Sequence, residues 1–388
     1  MKKKLLAMLL VSVAMTPVIA NDEFADYKRQ QEKIKQDYVS GQVQAFEQYK
    51  KELNAGFDDF KQTYLEESRK YREQITERWG SYKESGPKVW VNYAQNGKIR
   101  ESVNFETGVV EVEVLADKTD SMAEIKQQAR QAVSTLLSTT EKQAFENDVV
   151  AQKVEEKLQQ HTTVVKTGKP SATRQVMLPL VSAVSQADKE AIANLADAFI
   201  ASVSTEVIEQ AVPAEKKIVK LTFKIPENLS AKADKYSTRV QQIAERENIP
   251  VSLVFAVIET ESNFNPLAKS HVPAYGLMQI VPVSAGKDAS KYLFGKEKVL
   301  SPSYLYNSDN NIAIGGAYLH ILYHRYLSKI NDSTSRLFCT IAAYNTGAGN
   351  VARSFIGIAN VSKATSKINS MSASEVYQHL RKNLPHDE

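Results

Sequence analysis

The stretch VFAVIETESNFNP, residues 254–266, sets two glutamates at the end of an almost wholly apolar run. Residues 253–258 are continuously apolar, which predicts a helix buried on most sides rather than an amphipathic surface helix. Pro250, which follows Asn248 and Ile249, suits its first turn together with Ser252, and Asn263 with Pro266 suits its end. Glu259 and Glu261 stand about 200° apart around such a helix, so they cannot share a face, and at most one points into a given cleft. Burial and the negative end of the helix dipole both disfavour a bare carboxylate, and a carboxyl kept protonated near neutral pH is what a general acid requires. The plainer alternative is that both form the polar exit of a helix.

From Lys232 onward the pattern stays helical, and AKSHVPAYGLMQIVP, SPSYLYNSDNNIAIGGAYL and TIAAYNTGAGNV follow the quoted run in that order. With ETES (259–262) they resemble the lytic transglycosylases of bacterial cell walls, the goose-lysozyme-like family with Glu-Ser, Gly-Leu-Met-Gln and Ala-Tyr-Asn motifs. The likeness runs from about residue 231 to the C-terminus. Upstream, WGSYKES, VNFETGVVEVEV and IVKLTFKIPENL are similar to the companion domain of the murein transglycosylase C type.

This resemblance implies an all-α, lysozyme-like catalytic domain over residues 230–388. In the family pattern the catalytic glutamate directly precedes serine, which implies Glu261 before Ser262, with Glu259 at a place where no acid is demanded. It implies Ser270 as a serine that hydrogen-bonds near the acid, Gly276, Leu277, Met278 and Gln279 as the lining of a saccharide cleft, and Tyr344 and Asn345 as its opposite wall. Such residues suit sugars: glycine lets backbone approach closely, and amide, hydroxyl and aromatic groups supply hydrogen bonds and a flat apolar surface. The reaction implied is cleavage of the MurNAc-GlcNAc bond of peptidoglycan with neither metal nor other cofactor. Glu261 first protonates the leaving oxygen and then takes the proton of the sugar's own C6 hydroxyl, giving a 1,6-anhydro-muramoyl end. A positioned intramolecular hydroxyl gains from proximity, and substrate-assisted glycosidases depart from the usual pair of carboxylates. Two rivals are hydrolysis of the lysozyme type on the same fold and a non-catalytic wall-binding scaffold.

The first twenty residues, MKKKLLAMLLVSVAMTPVIA, have the basic start, short apolar core and small-residue end of a secretory signal peptide, which predicts export to the periplasm with cleavage after Ala20. No cysteine stands at that point, so the mature chain is expected without a lipoprotein anchor, and the single cysteine, Cys339 in RLFCTIAAYN, reads as a small core residue. Loss of Lys2, Lys3 and Lys4 with the leader lowers the formal charge from +4 to +1, which gives no argument for nucleic acid or another polyanion as partner. The resemblance also implies a tyrosine-bearing segment near the cleft after the Pro385–Glu388 stretch, and with the given sequence ending at Glu388 a less complete closure of the cleft is expected.

At 388 residues two or three folded units are expected. Residues 21–84 read as a long charged helix in which Tyr27, Tyr38, Tyr49, Phe60 and Tyr71 are each eleven apart, as are Leu53, Tyr64 and Ile75. That step favours a nearly straight or gently right-handed coiled coil. A second copy, a protein partner or the chain's own domains could cover this stripe along residues 22–82. Gly41 and Gly56 lower its helix propensity. Residues 85–229 read as a small α+β companion domain: KVWVNYA, KIRESVNF and VVEVEVL, divided by Asn96-Gly97 and Thr107-Gly108, predict an antiparallel meander, and KIVKLTFKI a further strand of the same sheet. Helices are expected at 121–137 and 141–160. His320 and His324 have helical spacing but no HExxH glutamate, TGAGN lacks the Lys-Ser/Thr of a phosphate loop, and no nucleophile elbow is present.

Overall fold

The computed structural model describes residues 19–177, 189–208, 215–225 and 229–384. The predicted leader lies outside them except for Ile19 and Ala20. Among the described residues no helix is long and apolar enough to cross a membrane. The chain divides into two units, Met1–Glu52 and Leu53–Glu388.

Helix α1 runs Ile19–Trp79. In the first unit Phe24, Tyr27, Ile34, Tyr38, Val43 and Phe46 are all exposed along it. In the second unit Leu53, Phe60, Tyr64 and Ile75 of the eleven-residue stripe are buried and Tyr71 is half-buried, and Trp79, outside the stripe, is in the core as well. From Leu53 on, then, the chain covers its own stripe, one of the three covers that the spacing allows. Gly56 has a packing reason: a Cβ there would lie 3.1 Å from Val299 Cγ2. Trp79 closes the helix by donating Nε1–H to Gly97 O at 2.9 Å, with the Arg100 guanidinium 4.7 Å from its ring centre.

The predicted meander is present as β1 (Val89–Ala94), β2 (Ile99–Asn104) and β3 (Val109–Asp117), antiparallel throughout. Its turns use left-handed backbone at Gln95, Asn96 and Gly97 and at Gly108, where a Cβ would fall 2.4 Å from Ile225 O. Helix α2 (Met122–Ser138) follows behind a Ser121/Glu124 capping box and packs on β2 and β3. The single helix expected over 141–160 is instead two, α3 (Glu141–Asn147) and α4 (Val149–Leu158). The break is Asp148, whose ψ of 92° leaves the helix while its Oδ1 caps the Ala151 N–H at 3.0 Å.

Next come β4 (Val164–Val165), α5 (Lys189–Ser202), β5 (Ser204–Ile208) and β6 (Lys216–Lys224). The sheet order is β1-β2-β3-β6-β5. β6 is the further strand expected from KIVKLTFKI. β5 was not expected: it is mostly exposed and shows no alternation of buried and open positions.

The remaining regular structure is helical apart from β7 (Val299–Leu300), which pairs in parallel with β4, and residues 263–284 form turns between two of the helices. Its helices are α6 (Leu229–Glu247), α7 (Val251–Ser262), α8 (Ala285–Phe294), α9 (Pro302–Leu305), α10 (Ser308–Ile321), α11 (Ser333–Thr346), α12 (Ala348–Ile356), α13 (Val361–Asn369) and α14 (Ala373–Asn383). Cys339 is fully buried in a cluster with Leu322, Ile330, Val351 and Phe355, as its neighbours in sequence predict.

Candidate active site

The site is built at the C-terminal end of α7. Pro250 precedes the helix and Asn263 ends it in left-handed backbone (φ 50°, ψ 43°), with its N–H donating to Glu259 O. Leu253, Val254, Val257, Ile258 and Ser262 are buried, while Ser252, Ala256, Glu259 and Thr260 form one exposed edge. The helix is therefore less enclosed than its composition suggests. Glu261 lies three, four and seven residues after the buried Ile258, Val257 and Val254, and is half-buried; Glu259 lies three and seven after Ala256 and Ser252, on the open edge.

Ser262 is fully buried, its hydroxyl 2.8 Å from Leu277 O and 3.0 Å from Ile258 O, one proton serving two carbonyls. The serine after Glu261 thus ties the helix end to the Gly-Leu-Met-Gln turn. Two asparagines fix the exit from the helix: Asn263 Nδ2 donates to Phe105 O, and Asn265 Nδ2 to Pro87 O at 3.0 Å. Both carbonyls belong to the sheet region, so the companion region helps to hold the helix end that carries Glu261.

The turn itself is held by a residue that the sequence reading passed over. Asn311 of α10, fully buried, accepts from Met278 N at 2.9 Å and donates to Tyr275 O at 2.7 Å and Leu305 O at 3.2 Å. Gly315, one helical turn later, leaves room for Met278, whose Sδ would sit 2.2 Å from a Cβ there. Gly276 has φ +72°, and a Cβ on it would come within 2.4 Å of Asn311 Nδ2. Its immediate neighbour is thus this amide. An asparagine one turn before a glycine, on the buried face of an apolar helix, was the available signal.

Tyr344 OH donates to Met278 O at 2.7 Å, so α11 reaches the same turn from its own side. Burial pushes the Tyr344 phenol well up, and the Glu261 carboxylate adds to the shift, which places the two groups within electrostatic reach. Glu261, Ser262, Gly276, Leu277, Met278 and Tyr344 therefore come together. Gln279 folds back to donate Nε2–H to Gly276 O at 3.0 Å, leaving its buried Oε1 without a hydrogen-bond partner. Ser270 bonds within its own loop, its Oγ donating to Val272 O and accepting from Ala274 N, while its carbonyl accepts from Tyr64 OH at 3.1 Å. Asn345 is exposed.

His320 and His324 belong elsewhere: their ring nitrogens lie 2.8 Å from Glu247 O and Asn248 O, clamping the turn between α6 and α7.

Two families match the chain. The Transglycosylase SLT domain covers residues 239–366, and the N-terminal domain of membrane-bound lytic murein transglycosylase C covers 60–169. The chain is 32% identical over 326 residues to a "Membrane-bound lytic murein transglycosylase C" of Pectobacterium atrosepticum, covering 82% of this chain and 84% of that protein. It is 32% identical over 352 residues to a protein so named from Edwardsiella ictaluri, with 88% of each chain covered.

Proposed function

Because this chain belongs to the membrane-bound lytic murein transglycosylase C family, we propose that it is a lytic transglycosylase that cleaves peptidoglycan at the MurNAc-GlcNAc bond, with Glu261 as acid and then base. The observation that carries the assignment is the divergence of the two glutamates: Glu261 sits half-buried within reach of Tyr344 and beside the turn fastened by Ser262, while Glu259 lies on the open edge.

The chemistry follows from that placement. Glu261, protonated, gives its proton to the glycosidic oxygen as the C1–O bond breaks. As a carboxylate it then takes the proton of the C6 hydroxyl, whose oxygen closes on C1 to leave a 1,6-anhydro end. No water enters, and the acid is regenerated. Gln279 would line one side of the glycan and Tyr344 with Asn345 the other, while Leu277 and Met278, expected in that lining, are fully buried and support the turn from beneath; Ser270 would act from its loop. We assign residues 85–229 to a companion domain, 230–388 to a lysozyme-like catalytic domain, and the first twenty residues to a cleaved leader for export to the periplasm.

Digestion of purified sacculi followed by mass spectrometry of the fragments tests the reaction. Anhydro ends are expected; ends heavier by one water would replace this reading by hydrolysis, and binding without soluble fragments would replace it by a scaffold.

A further inference from the structure

We propose that a trough walled by the second half of α1, the β1–β2 hairpin and the α3–α4 junction binds an amine-bearing peptide, with the carboxylate of Glu101 taking its ammonium group. The cavity measures about 620 Å³, enough for a peptide of a few residues. Glu101 of β2 lines it and is only 2% exposed. Its Oε2 accepts from Asn92 Nδ2 at 2.9 Å, and its Oε1, equally buried, has no hydrogen-bond partner. A buried carboxyl oxygen without a donor costs free energy, and a ligand that brings a donor recovers it.

Charge decides what kind of donor. Two carboxylates, Glu101 and Glu146, line the trough with one cation, Arg78, which donates to Asn96 O, and the cations of the adjoining cavity are paired elsewhere: Arg72 with Glu84 at 2.7 Å, Lys83 with Glu111 and Lys269 with Asp148 at 2.7 Å. Glu101 has only a neutral amide. Tyr71 and Tyr93, their rings 6.1 Å apart, also wall the cavity, and aromatic faces beside a carboxylate suit an ammonium group. Burial raises the Glu101 carboxyl to about 7, so near neutral pH an entering ammonium displaces a proton to solvent and leaves a carboxylate–ammonium pair.

The place of the trough argues for a wall peptide as the source of the amine, an identification that rests on the proposed function. Tyr71, Asn92, Tyr93, Asn147 and Val149 also line a narrower cavity whose further wall includes Leu267 and Lys269. Lys269 pairs through its backbone with Tyr275 at the base of the loop that leads into the Gly276–Gln279 turn of the candidate site. A glycan held there could lay its peptide stem along this path, with a diamino-acid side chain reaching Glu101.

The test is calorimetric titration of the full chain with three probes: a disaccharide-peptide bearing a free side-chain amine, the same compound with that amine acetylated, and the peptide-free disaccharide. The free-amine form should bind at least tenfold more tightly than the acetylated form, with proton release at pH 7 that varies with buffer ionisation enthalpy, and Glu101→Gln should abolish that difference. Equal affinity for the free and acetylated forms, retention of the difference in Glu101→Gln, or no binding of any probe overturns the proposal. Preference for a free polyamine over the peptide overturns its wall-peptide part. Activity on peptide-free glycan strands is a separate readout: its loss would sink the transglycosylase reading while the titration still decided the amine site.

Discussion

Lys269 Nζ donates to Asp148 Oδ2 at 2.7 Å, and Tyr306 OH donates to the same oxygen at 2.5 Å. The residue that splits α3 from α4 therefore also holds the loop that leads into the candidate cleft. Burial alone would raise the Asp148 carboxyl, but the Lys269 ammonium, the Tyr306 hydroxyl and the Ala151 N–H together hold it below its ordinary range. Burial would likewise lower Lys269, and the Asp148 charge reverses the direction.

Asp148→Asn should destabilise the chain by about 3–5 kcal/mol in denaturant unfolding, because it leaves a buried ammonium without its counter-charge. Asp148→Asn combined with Lys269→Met should cost less than the sum of the two single changes. The sign with pH follows from the two shifts. A lowered Asp148 contributes stability above its unfolded pKa of about 3.9 that is lost as pH falls through the folded value, and a raised Lys269 contributes stability below about 10.4 that is lost as pH rises through its folded value. The deficit should thus be level from about pH 5 to 9 and shrink in acid.

Asn311→Ala should cost about 2 kcal/mol, since it strands the Met278 N–H in the interior and takes a donor from the Leu305 and Tyr275 carbonyls, the latter keeping only the Ile280 N–H. Gly276→Ala should act through the same contact, by forcing Asn311 aside and straining a left-handed residue. Both variants should lose activity on sacculi more than a stability-matched surface variant does. Full activity in Asn311→Ala would remove the turn from the candidate site.

What the sequence disclosed follows from how local each signal is. The meander was legible because turn residues and alternation lie within a few positions, and α7 because Pro250 and Asn263 bracket an apolar run. The split at Asp148 had a local signal, an N-capping aspartate three residues before the Ala151 N–H it accepts from, which the helical periodicity on either side of it masked; its ion pair with Lys269, 121 positions away, had none. The eleven-residue stripe was visible, but its cover was not, because Phe60 meets Tyr275 only in the folded chain, at 6.2 Å between rings. Of the candidate site, the motifs supplied the members, and helix geometry alone left Glu259 and Glu261 undecided. Ser262, known only as a neighbour in sequence, proved to be the staple between helix and turn.

Glu101→Gln should make stability depend less on pH. The folded carboxyl at about 7 lies above the unfolded value, so the folded state is penalised progressively as pH rises from about 4.5 to 7 and fully above that, by roughly 3 kcal/mol. The variant should therefore melt higher than the parent at pH 8 and match it at pH 4.5. An equal difference in melting temperature at both pH values would show that the buried charge is not the cause.

Glu261→Gln keeps the shape of the side chain and removes its proton. If Glu261 is acid and base, release of anhydro-muropeptides should fall by about 10²–10⁴-fold or more. Glu259→Gln, on the open edge of the same helix, should retain the parent rate. Tyr344→Phe separates positioning from chemistry: it removes the bond to Met278 O, worth about 1 kcal/mol, and a phenol in reach of Glu261. A positioning role predicts a reduced rate with the same products. An unchanged rate in Glu261→Gln, or a loss confined to Glu259→Gln, would transfer the chemistry to the other glutamate, although only Glu261 follows the buried side of α7.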